Sequence, residues 1–61
     1  MTTEVKKVIK LMRYKYNNEV VDYNVRDDDT EKVDLYNKKD EIVKTISTDE
    51  LTKLWNIVES E

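Results

Sequence analysis

Glycine, proline, cysteine and histidine are all missing from this chain of 61 residues. Without glycine or proline, every turn falls to Asn, Asp, Lys, Ser and Thr, of which Asn and Asp best tolerate a left-handed backbone. Without cysteine there is no disulfide and no thiolate; without histidine there is no imidazole. Nucleophilic triads, thiol catalysis and most zinc sites are thereby excluded. Small domains commonly lean on a disulfide or a structural metal. Here stability must come from packing, backbone pairing and, where one exists, an oligomer interface.

A long apolar run is also missing. Nothing approaches the roughly 18 residues of a membrane span, and lysines interrupt the N-terminal apolar residues where a signal peptide would be continuous. Together with the lack of cysteine, this leads to the expectation of a cytoplasmic protein without a membrane anchor. The length admits one domain, residues 1–61, with ends at 1–4 and 60–61 expected to fray. A chain of this size removes only about 60% of its unfolded surface on folding, so its stability margin is thin.

Charged residues are 41% of the chain and apolar residues 38%. That balance is polar, but the apolar residues recur at structured spacings, which argues for a folded domain over disorder. The plainest spacing is C-terminal, where Leu51, Leu54, Trp55 and Val58 fall at i, i+3, i+4 and i+7. Ser47 and Glu50 form a Ser-x-x-Glu capping box ahead of them, so the pattern predicts a helix over about 48–59. Glu41 to Ile46 and Val33 to Tyr36 are β-rich, joined by turn residues 37–40. Pairing them about Lys38-Lys39 sets Leu35 opposite Ile42 and Asp34 opposite Val43. Glu19 to Arg26 alternates, with Val21, Tyr23 and Val25 on one side, and reads as a half-buried strand.

The N-terminal segment supports two readings. Val5, Val8, Ile9, Met12 and Tyr16 make a helical stripe. A hairpin closed by Asn17-Asn18 instead sets Tyr14 opposite Val21 and Met12 opposite Tyr23, with an Arg13 to Asp22 pair on the other face. The hairpin satisfies several cross-strand positions at once and is preferred. The expected fold is α+β: a four-stranded antiparallel sheet packed on one face by the C-terminal helix. Val8, Met12, Tyr14, Val21, Tyr23, Val25, Val33, Leu35, Ile42 and Ile46 are its expected sheet-side core. The alternative is helix, three strands, helix.

Positive motifs for chemistry are few. No carboxylate stands in an apolar setting that would raise its pKa, so no catalytic residue is assigned, and the expectation is a protein that is not an enzyme and needs no cofactor. Asp27, Asp28, Asp29, Glu31 and Asp34 resemble a cation loop only in composition. They lack the glycine and the twelve-residue ligand spacing of an EF-hand, so no metal site is assigned. Charge is segregated: six basic against three acidic residues up to Arg26, and eleven acidic against five basic after it. Such asymmetry can steer a partner or align two copies.

The leading expectation is therefore a small acidic protein-binding or regulatory accessory module, an inhibitor of a larger cytoplasmic protein being one form of it. Its contact residues would be Asp27, Asp28, Asp29, Glu31, Asp34, Tyr36 and Ile57, with Ile57 turned outward beside Tyr36 or Tyr16. A homodimer is the second partner considered, given the small size and open strand edges. A less favoured alternative is a nucleic-acid surface built from Lys6, Lys10, Arg13, Tyr14, Lys15 and Tyr16. A self-associating structural domain with no separate activity is the plainest alternative.

Overall fold

In the computed structural model, which describes residues 3–61, the N-terminal segment is a helix. The chain runs α1 (Thr3–Lys15), β1 (Asp22–Val25), β2 (Lys32–Tyr36), β3 (Ile42–Ser47) and α2 (Thr48–Glu59). The sheet has three antiparallel strands in the order β1-β2-β3. The expected fourth strand and its Asn17-Asn18 hairpin are thus corrected, and the helix, three strands, helix arrangement is the one found.

The core explains the correction. As a strand, residues 8 to 14 would place Lys10 on the same face as Val8 and Met12, burying an ammonium between them at high cost. As a helix, Val8, Ile9 and Met12 are buried together while Lys10 is exposed. The helical phase also turns Tyr14 roughly 200° away from Met12. Tyr14 accordingly leaves the expected core and is 84% exposed, and the proposed pairings of Tyr14, Met12 and Arg13 with β1 do not form.

Both helices cover one face of the sheet. A single cluster joins Val8, Ile9 and Met12 of α1, Val33 and Leu35 of β2, Ile46 of β3, and Leu51, Leu54 and Val58 of α2. Val20, from the α1–β1 connection, is fully buried in it, whereas Val25 and Ile42, expected inside, are largely exposed. Val25 ends the short edge strand, and Ile42 pairs with Tyr36, whose side chain stands on the face turned away from the helices. Trp55, Tyr23 and Val43 are half-buried and pack against the cluster.

Turns without glycine are built from side chains. Asn17 Oδ1 accepts from the Glu19 N–H at 2.8 Å, and Asp28 Oδ1 accepts from the Thr30 N–H at 3.0 Å. Asn37 Oδ1 accepts from both Lys39 N–H and Glu41 N–H, at 2.9 and 3.0 Å. Each is the Asx geometry that lets a carboxyl or amide stand in for a backbone acceptor. Two residues take the left-handed region outright, Glu31 at φ 55° and Asp40 at φ 61°. Because Asn37 ties up residues through Glu41, the β2–β3 ladder closes later than expected: Leu35 faces Lys44 and Asp34 faces Thr45, with an irregularity between Leu35 and Tyr36. The expected register of Leu35 on Ile42 is corrected by two residues.

Of the ends expected to fray, Met1 and Thr2 lie outside the described residues. Thr3 and Glu4 form the first turn of α1, and at the other end Glu61 forms a 3.3 Å ion pair with Lys7.

Candidate functional site

The acidic residues expected to contact a partner are spread along the β1–β2 connection and β2. Asp27, Asp28 and Asp29 sit exposed in the β1–β2 connection, where Asp28 caps its own turn through Thr30. That hydrogen bonding to Thr30 holds the Asp28 carboxyl below the usual carboxylate range. Asp34 is on the open face of the sheet yet only 6% exposed. The Arg26 guanidinium grips it with two bonds, Nε to Oδ2 at 3.0 Å and Nη2 to Oδ1 at 2.9 Å, and Thr45 Oγ1 donates to Oδ1 at 3.0 Å. The Arg26 bonds hold the Asp34 carboxyl below its ordinary range, with Thr45 assisting. This network ties the residue that follows β1 to β2 and β3, so Asp34 is committed to the sheet. Among the described residues, no three carboxylates come together in a way that could hold a metal ion.

Tyr36 and Ile57 lie on opposite sides of the molecule. Tyr36 follows Leu35 on β2 and points away from the helices, whereas Ile57 is on α2, 47% exposed in the helical layer. Tyr36 and Ile57 therefore do not share one apolar spot. Tyr16 has another role: its hydroxyl donates to Glu50 Oε2 at 2.5 Å, joining the end of α1 to the start of α2. Burial and the adjoining carboxylate push the Tyr16 pKa up to about 12. The Tyr16 bond in turn holds the Glu50 carboxyl below its usual range. Ser47 caps α2 as the sequence pattern implies, its Oγ accepting from the Glu50 N–H at 3.2 Å, while the Glu50 side chain serves Tyr16.

Two surfaces do gather exposed groups, and both involve α1. The first is a groove of about 410 Å³ between α1 and α2, lined by Lys7, Lys10, Leu11, Tyr14, Val58 and Glu61. Lys7, Leu11 and Tyr14 stand at i, i+4 and i+7, a periodicity legible in the sequence only once the segment is read as a helix. Leu11 and Val58 are the apolar walls, Tyr14 is an exposed aromatic flank, and Lys7 and Lys10 carry positive charge at the rim.

The second surface lies on the neighbouring side of α1. Lys6, Lys10 and Arg13 share one helical stripe and, with Ile9 and Val21, line a shallow depression of about 350 Å³. Arg13 and Val21 also line a further depression of about 350 Å³ with Asn18, Glu19, Asn37, Lys38, Lys39 and Glu41. The helix thus unites Lys6, Lys10 and Arg13, which a hairpin would have divided. It separates Tyr14 and Lys15 from them: Tyr14 flanks the groove, and Lys15 Nζ sits 5.8 Å from the centre of the Tyr16 ring. No described helix is long and apolar enough to cross a membrane. No protein-family model, curated protein or solved structure matches the chain.

Proposed function

We propose that the chain is a noncatalytic protein-binding module that acts on a larger partner through the groove between α1 and α2. The carrying observation is Tyr14, 84% exposed beside a cleft walled by Leu11 and Val58, which places an aromatic next to an apolar groove. Aromatic side chains flanking a pocket supply contact area at low entropic cost and are favoured binding anchors. The rim sets the partner's chemistry. Lys7 is paired with Glu61 on the same rim, so Lys10 carries the unanswered charge and favours a segment that places an apolar side chain between Leu11 and Val58 and a carboxylate over Lys10. A cytoplasmic place of action accords with the absence of cysteine.

A photo-crosslinking residue at position 14, compared with one at Thr45 on the open sheet face, tests this reading in the protein's own cell extract. The expected result is a one-to-one adduct from position 14 that Lys7→Glu with Lys10→Glu abolishes. A self-adduct of twice the chain mass would make a second copy the occupant. Equal adducts from positions 14 and 45, or none from 14, would refute the groove as a binding site.

A further inference from the structure

We infer that the tract joining Lys6, Lys10 and Arg13 of α1 to Lys38 and Lys39 of the β2–β3 turn binds single-stranded nucleic acid. The inference rests on a juxtaposition that chain order hides: Arg13 and Val21 line both depressions, so two concave surfaces run into one another at Arg13. Lys6 and Lys10 are about 6 Å apart along the helix axis, and Arg13 follows about 4.5 Å further on. Across Arg13, the side chain of Asn37 accepts from Lys39 N–H and Glu41 N–H, which holds the Lys38-Lys39 turn in place. Arg13 is itself positioned, its Nε donating to Val20 O at 2.8 Å. A planar guanidinium so placed suits a phosphate at the junction.

Five cations face two carboxylates along the tract, Glu19 and Glu41, and Glu41 Oε1 is engaged by Asn37 Nδ2 at 3.0 Å. The whole chain carries a net charge of −3, which opposes the approach of any polyanion. Binding must therefore come from this local concentration of positive charge. Such a gathering of cations suits a ligand that bears a charge at every repeat. The concavity selects a single strand. Duplex DNA, with a persistence length of about 150 base pairs, costs energy to deform over a molecule 29 Å long, whereas a flexible single strand follows adjoining depressions on a helix and a turn at little cost.

Fluorescence anisotropy of the intact chain with a labelled oligonucleotide of roughly ten bases, as DNA and as RNA, tests the inference. Five phosphate contacts give a log-log salt slope of about −3.5, so affinity should fall on the order of 100-fold between 50 and 200 mM salt. Lys38→Glu with Lys39→Glu should weaken binding at least about tenfold, and Lys38→Gln with Lys39→Gln by a smaller factor in the same direction. Lys32→Glu with Lys53→Glu, equal in charge change but outside the tract, should leave affinity within about threefold. Circular dichroism establishes that each variant is folded. Equal losses in both double variants, absence of binding at low salt, equal affinity for the duplex, or equally effective competition by polyglutamate would each overturn the assignment. Lys10 lines both the tract and the α1–α2 groove, whereas Lys38 and Lys39 line only the tract, so their variants test the tract without altering the groove.

Discussion

Glu31 holds a left-handed backbone at φ 55° in a chain without glycine, and relieving it should raise stability. A side chain with a Cβ in that region costs about 1–2 kcal/mol through its clash with the following carbonyl. Glu31→Gly removes the clash and adds about 0.4–1 kcal/mol of conformational freedom to the unfolded chain. At the midpoints of the two ranges the net gain is about 0.8 kcal/mol, or roughly 3–6 °C in Tm for a domain of this size. The hydrogen bond from Thr48 N–H to Glu31 O is made by the backbone and survives the substitution. Asp40→Gly, at φ 61°, should gain less, because Asp tolerates this region better than Glu. Asp29→Gly is the control. It lies in the same connection, removes the same charge and has no positive φ, so only the unfolded-state cost remains and Tm should fall. Thermal unfolding followed by circular dichroism reads all three. A Glu31→Gly variant that melts below the parent by as much as Asp29→Gly would refute the argument from backbone strain.

Tyr16 binds its proton more tightly folded than unfolded, since its pKa rises from 10.0 to about 12. Its contribution is complete below pH 10 and is lost as the pH rises through about 12; urea midpoints across that window should fall for the parent and fall less for Tyr16→Phe. The carboxyls of Asp34 and Glu50 are held below their ordinary values, so their contribution is complete above the usual carboxylate range and fades as the pH drops through their lowered folded values. Asp34→Asn should therefore flatten the acid limb of a stability profile measured by urea titration. Met12 is fully buried and Tyr14 is 84% exposed. Met12→Ala should cost about 2–5 kcal/mol and Tyr14→Ala no more than about 0.5 kcal/mol in urea unfolding, an order the hairpin reading does not produce.

What was legible in the chain was local. Ser47, Glu50 and the Leu51, Leu54, Trp55, Val58 stripe announce α2 because cap and face lie within twelve consecutive residues. Asn17-Asn18 and Asn37 announce chain reversals, and both are reversals. Their geometry was not legible, because a helix-ending Asx turn and a hairpin loop use the same residue. The register of β2 on β3 moved by two positions for a similar reason: the Asn37 side chain holds Lys39 and Glu41 and lengthens the loop. The links between distant residues were invisible. Glu50 turns to Tyr16, 34 positions away, and Arg13 lines one depression with Lys38 and Lys39. The acidic run at residues 27–29 is conspicuous in the sequence, while the surfaces that gather exposed side chains depend on a helix that local spacing left undecided.

That helix owes its existence to the rest of the molecule, and the dependence can be measured. Residues 3–15 include good helix formers in Lys, Leu, Met and Arg, an acidic first turn at Glu4, and basic residues in the last turn at Arg13 and Lys15. Against this, Thr3, Val5, Val8 and Ile9 are β-branched and lose side-chain freedom in a helix. Like charges also stand four apart at Lys6 and Lys10, which repel on a helix surface. A helix of 13 residues is marginal in water even with better composition, because nucleation costs more than so few hydrogen bonds return. Burial of Val8, Ile9 and Met12 supplies what local preference does not. A peptide of residues 3–16 should therefore show little helix by circular dichroism at 25 °C and gain it in trifluoroethanol, while the same residues in the intact chain give helical nuclear Overhauser contacts throughout. A peptide already helical in water would assign the fold of this segment to propensity, and Met12→Ala would then leave the helix intact after the core is lost.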